Sequence, residues 1–366
     1  MIRSRAGWVR LGILVVVAVV APVVAYAVVG RDDAASAPPS PTRSRGETTV
    51  STADPTTSTT APVTTVTAAA PDGGGASSGD CPLFPADNHW HAPVADLPVH
   101  PDSEAYVASI GRDDGVKADF GAGTWDGGPI GIPLTTVDAG QPEVPVTFDY
   151  ADESDPGPYP IPSDARIEGG PDSDGDRHVL VLDRGACQLA ELWDAHPNPD
   201  GSWRAGSGAV YDLRSNQLRP AGWTSADAAG LPILPGLVRY EEVASGRIDH
   251  AIRVTVPATQ DRYVWPARHA ASSSDDPVLP PMGLRLRLRA DVDLSGLAAQ
   301  AQVVARAMQS YGVIVADNGS AWYLSGVPDD RWDNDGLRTL GTLTGADFEA
   351  VDASSLMADP DSGRVA

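Results

Sequence analysis

Leu11–Val29 reads LGILVVVAVVAPVVAYAVV, an apolar run broken only by Pro22. Arg3, Arg5 and Arg10 precede it with no acid among them, and Arg31, Asp32 and Asp33 follow. At about 1.5 Å of rise per residue, such a run nearly spans the hydrocarbon core of a bilayer. With the positive charges on its N-terminal side, residues 1–10 are expected in the cytoplasm and the chain after residue 29 outside it. Ala25-Tyr26-Ala27 also fits a signal-peptidase site, so a cleaved signal peptide is the competing reading. The length of the run favours an uncleaved membrane anchor. Residues 31–80 are dominated by Ala, Ser, Thr, Pro, Gly and Asp. They cannot bury enough apolar surface to offset the entropy of ordering them, so a disordered stalk is expected. What can fold as one globular unit then runs from 81 to 350, with 351–366 as a flexible tail.

Outside the cytoplasm two cysteines form a disulfide by default, and the chain has only Cys81 and Cys187. Closing so long a loop is worth about 4–5 kcal/mol on the chain-entropy account. There is no C-x-x-C, which argues against redox chemistry and a thiolate zinc site. The net charge is −23 and Lys117 is the only lysine. Such a surface repels nucleic acid and anionic lipid, so neither is an expected partner of the folded part. The G-x-S-x-G elbow, H-E-x-x-H and the phosphate-binding G-x-x-x-x-G-K are all missing.

From Cys81 onward, strand signals outnumber helix signals. Val144–Tyr150, Asp249–Val256 and Leu284–Ala290 alternate in the strand period. His178–Leu182 turns through Asp183–Ala186 into Cys187–Trp193 as a hairpin. Val313–Ala316 is expected to turn at Asp317-Asn-Gly-Ser320 into a partner strand, Ala321–Ser325. Helices are expected near Leu237–Ala244, ended by Gly246, and over Leu297–Ser310 after an N-cap at Ser295. Thr224–Ala229 reads as a further helical turn. The fold class is therefore mainly β: a β-sandwich or barrel-like single domain with long Pro/Gly-rich loops and a few helices.

The stretch GGPDSDGDRHVLVLD, residues 169–183, sets Asp172, Asp174 and Asp176 at alternate positions. That is calcium-loop spacing, but Arg177 stands where an EF-hand requires glycine and a strand follows instead of a helix. A turn that starts a strand is the simpler reading, and it places Asp176 and His178 at the strand's mouth. Calcium in the Asp-rich loops, here and at 328–336, is the one cofactor the sequence allows, and none is required. His89 and His91 have no third ligand nearby. His250 reads as a buried histidine on the core face of its strand. Arg285, Arg287 and Arg289 share a strand face, to be paired with aspartates or turned to an anionic glycan.

The phrases CPLFPADN (81–88), GGPIGIP (127–133), DESDPGPYPIP (152–162), GDRHVLVLDR (175–184), RPAGWTSADAAGLPILPGLVRY (219–240), YVWPARH (263–269) and ADNGSAWYLSG (316–326) resemble those of a family of exported bacterial proteins of actinobacterial type. The resemblance covers the whole folded region. It implies one domain type and carries no named activity. A fainter likeness links Ile248-Asp-His250 to the acid-bearing strand of concanavalin-like glucanases, which carries two or three acids where this chain has Asp249 alone.

Nine Trp against four Phe, surplus carboxylates and export together suggest action on a polysaccharide of the cell envelope or surroundings. A glycoside hydrolase needs two carboxylates across a cleft. The candidates are Glu168, Asp176, Asp227, Asp249 and Asp317, with His178 or His269 tuning them. A lyase would use His269 as base and Arg268 as charge neutraliser. Trp223, Trp265 and Trp322 are the candidate sugar platforms. The rival reading is a carbohydrate-binding or adhesion module without catalysis.

Overall fold

The computed structural model describes residues 77–78 and 81–366. The expected anchor at 11–29 and nearly all of the stalk at 31–80 lie outside the described residues. Among the described residues, no helix is long and apolar enough to cross a membrane.

Among the described residues strand predominates over helix, in several sheets, and none of these sheets closes into a barrel. The barrel alternative is thereby corrected. The central element is a six-stranded mixed sheet. Its order is Phe348–Ala350, Arg285–Leu288, Val313–Asn318, Ile252–Val256, Tyr323–Ser325, Lys117–Asp119. A four-stranded sheet runs Ser207–Asp212, Gln188–Trp193, Val179–Asp183, Leu134–Val137. Its Val179–Asp183 and Gln188–Trp193 strands form the expected hairpin, with Asp183 Oδ1 accepting from the Gly185 and Ala186 N–H groups in the turn.

Every residue of Val179–Asp183 is buried, because the sheet is covered on both faces. Leu180, Leu182 and Leu189 enter the larger core, which also holds the six-stranded sheet. Val179, Val181, Ala190 and Leu192 enter a second core with Tyr159, Ile161 and Trp203. Cys81 and Cys187 form the disulfide, joining the start of the folded region to the hairpin turn.

Two local expectations change. Asn318-Gly319 does turn the chain, but the strands it joins are not neighbours. Ile252–Val256 lies between them, parallel to Val313–Asn318 and antiparallel to Tyr323–Ser325. The long helix starts at Ala299, and its side-chain contact at the start is Thr339 Oγ1, which accepts from Ala298 N–H. Ser295 instead bonds to Asp293. The helix buries Ala301, Val304 and Met308 at helical spacing along one face. Tyr240–Ser245 ends at Gly246 in the left-handed region, as read.

The C-terminal residues are not a loose tail. Val351 N–H donates to Arg285 O, and Ser362 and Arg364 bridge to Gln217 and Asn88. The buried Arg268 guanidinium reaches Pro360 O and the Asp361 carboxylate, both at 2.6 Å.

Candidate functional site

A cleft of about 340 Å³ opens where the two main sheets and the 224–228 loop meet. Asp176, Asp227, His269 and Asp317, all named from the sequence, line it. So do Glu153, Tyr150, Trp193 and Asn318.

Two of its acids, Asp227 and Asp317, meet Arg253, from the middle of the Ile252–Val256 strand. The guanidinium is buried and clasps Asp227 with Nε and Nη2 at 2.9 and 2.8 Å. The same Nη2 reaches Asp317 Oδ2 at 3.0 Å, and Nη1 donates to Ser325 Oγ at 2.7 Å. Burial alone would discourage the Arg253 charge, but Asp227 and Asp317 outweigh it and raise its pKa.

Asp317 reaches Arg253 because of a register shift. Val254 pairs with Val315, yet Thr255 pairs with Asp317, so Ala316 is the extra residue of a bulge. In a regular ladder Asp317 would sit opposite Val256, on the core face. The bulge turns it to the Arg253 face, where 23% of its side chain meets solvent. The freed Ala316 carbonyl accepts from Ala229 N–H and anchors the loop carrying Asp227. Burial, with Asp227 and Asp176 nearby, pushes Asp317 up to about 6 against the opposing pull of Arg253.

Beside this pair lies a second one. His178 Nδ1 is 2.5 Å from Glu168 Oε2, and its Nε2 is 3.1 Å from Ala226 O. Both ring nitrogens face acceptors, so both carry protons and the ring is a cation. Burial opposes that charge, but Glu168 prevails and lifts His178 to about 9. Glu168 is in turn held below its ordinary value, His178 outweighing its burial. Glu191, on the core face of its strand, has no exposed surface and accepts from the Ile233 and Leu234 N–H groups. Burial lifts it to about 7.

Glu168, Asp176 and His178 could by position hold a metal ion. The donors as arranged do not fit one. Two ligands of a common ion at about 2.0–2.2 Å each stand further apart than 2.5 Å, and the His178 ring has no lone pair to offer. In the Asp-rich loop the buried Arg177 guanidinium donates to Pro171 O and Ser173 O. In the loop at 328–336, Asp329 pairs with Arg331, Asp333 caps a helix and Asp335 pairs with Arg338. His89 and His91 are not arranged as a ligand pair on a strand. They lie in a short 3-10 turn, with the His91 ring between Asp249 O and Leu83 O.

Other candidates fall elsewhere. Asp249 pairs with Arg247, away from the cleft. Trp322 is 1% exposed, stacked on Phe348 with its indole N–H on Gly111 O, so it is core and no sugar platform. Trp265 lines a different pocket. Arg268 is turned to the C-terminal segment and cannot act with His269. Trp223 is half-buried beside Arg219. His269 does reach the cleft. Its Nδ1 donates to Ala228 O, which leaves Nε2 facing Glu153 at 4.0 Å.

The aromatic wall is Trp193 with Tyr150, their rings 6.3 Å apart. Trp193 lies on Gly206, where a Cβ would come within 2.2 Å of the ring, and its indole N–H donates to Asp176. Tyr150 was legible only as the end of the Val144–Tyr150 alternation, and Trp193 only as the end of the hairpin strand. Strand alternation puts Glu191 and Trp193 on one face, which was the available signal.

No family model, no curated protein and no solved structure matches the chain.

Proposed function

We propose that this cleft hydrolyses glycosidic bonds in a polysaccharide, with Asp317 as the general acid and Asp176 as the second carboxylate. The observation that carries the reading is the pairing of unlike acids in one aromatic-walled cleft. Asp317 is drawn back against Arg253 and Asp227 and pushed up to about 6, whereas Asp176 stands exposed at the rim beside Trp193. A glycosidase needs such a difference, because one carboxyl must keep a proton for the leaving oxygen while the other serves as base or nucleophile. Arg253 and Asp227 position Asp317, and Trp193 and Tyr150 offer apolar faces to a sugar ring.

The Cys81–Cys187 bond supports an oxidising location, consistent with export behind the Leu11–Val29 anchor. In the same reading the two main sheets, which share a core, form a sandwich-like scaffold whose loops frame the cleft.

The alternative, a glycan-binding module without catalysis, rests on the Trp193–Tyr150 wall alone. One experiment separates the two. The full-length protein is incubated with a panel of envelope and plant polysaccharides, and products are read by mass spectrometry. Hydrolysis gives new reducing ends, and Asp317→Asn lowers the rate by about 10²–10⁴-fold in protein that still folds. Retention on a polymer without cleavage, lost in Trp193→Ala, would replace the hydrolase with the binding module.

A further inference from the structure

A second cavity, of about 420 Å³, lies apart from the cleft, and none of the cleft-lining residues contributes to it. That volume falls in the usual range for a small-molecule site, roughly 300–1,000 Å³. Its wall includes Arg285, the first arginine of the Leu284–Ala290 alternation. The three arginines of that run differ in one respect. Arg287 pairs with Glu349 and Arg289 with Asp291. Among the described residues Arg285 has no carboxylate partner. It is 3% exposed and donates to two neutral carbonyls, Tyr311 O at 2.6 Å and His89 O at 2.8 Å. A guanidinium has five N–H donors, and a buried cation without an anion is costly. Burial alone depresses Arg285 to about 9, so it stays charged at neutral pH.

The rest of the pocket says what kind of anion would fit. Arg262 adds a second guanidinium from the exposed side. Trp265, Leu284, Val351 and Met357 make an apolar wall, and Met357 is 40% exposed at the surface. Asp102 and Asp352 also line the pocket but are engaged locally, Asp102 near His100 and Asp352 with Ser354 N–H. We infer that this pocket binds an organic carboxylate with an apolar body, the carboxylate against Arg285 and Arg262 and the body along Trp265, Leu284, Val351 and Met357. The inference does not depend on the reading of the cleft.

Phenylacetate is the probe, with phenylacetamide as its uncharged counterpart and inorganic phosphate as an anion without an apolar body. Binding to the full-length protein is followed by calorimetry and by tryptophan fluorescence, with Trp265→Phe assigning the optical signal. Phenylacetate is expected to bind at least ten-fold more tightly than phenylacetamide or phosphate, and Arg285→Met to lose that preference. Equal binding of acid and amide, tighter binding of phosphate, or an unchanged preference in Arg285→Met would overturn the proposal. So would no binding at millimolar concentration. If Arg285→Met does not fold, the acid-to-amide ratio on the wild-type protein decides by itself.

Discussion

At the scale of single residues, the proposed hydrolysis rests most on Asp317. Its carboxyl is held near 6 by burial and by the neighbouring acids, with Arg253 limiting the rise. A general acid must be protonated to work, so its contribution is present below that value and lost above it. The expected outcome is a kcat/KM profile that falls on the alkaline side with a midpoint near 6 and flattens there in Asp317→Asn. A profile level from pH 5 to 8 would remove Asp317 from the acid role. Asp176, Asp227, Asp317 and His269, each beside a strand end or turn in the sequence, come together in one cleft. Asp249 had the same local credentials, and the fold sends it elsewhere. Arg253 escaped notice because an arginine inside an alternating strand reads as a solvent-facing residue. It is buried because both faces of its sheet are covered.

Individual elements place those residues. The bulge at Ala316 turns Asp317 to the Arg253 face, and Gly206 lets the Trp193 ring lie flat against the cleft wall. Gly206→Ala puts a methyl into that ring, so the indole must swing away from Asp176. The expected result is a KM raised roughly five-fold, the scale of about 1 kcal/mol for an aromatic contact, with little change in kcat. Unaltered KM would mean that Trp193 does not touch substrate. Much of the elements was readable: the Val179–Asp183 hairpin, the Gly246 cap and the body of the long helix, although Ser295 does not cap that helix, which starts at Ala299. The Asn-Gly turn was misread because a turn reverses the chain without choosing which strand lies beside it. Ile252–Val256, far away in sequence, fills that place.

Two predictions belong to the whole molecule. His178 is raised from 6.5 to about 9 by Glu168 against the effect of burial, and Glu191 from 4.5 to about 7 by burial. A raised pKa of either kind contributes stability that is complete below the unfolded value and lost as pH rises through the folded one. The expected Tm therefore declines from pH 5 to pH 9, and Glu191→Gln flattens the part below pH 7. A Tm that climbs over that range would contradict the charge assignments. Truncation after Ala350 removes Asp361 from the buried Arg268 and Ser362 O from the Trp265 indole. It should cost about 2 kcal/mol or more, the scale of a lost hydrogen bond to a charged group, read as a lower urea midpoint. An unchanged midpoint would return 351–366 to the status of a tail.

The sequence by itself determined the local matters: strand and helix periods, caps, turn residues and the two cysteines that pair. These are set by neighbours a few residues away or by there being no other partner. Only the tertiary structure decided that Arg253 meets Asp227 and Asp317, that His178 meets Glu168 as a cation, and that Arg285 has no acid partner among the described residues. Each depends on which segments are packed together and how much water is excluded between them. A carboxylate's separation from its partner and the loss of its hydration are properties of three-dimensional packing, and no spacing along the chain encodes them.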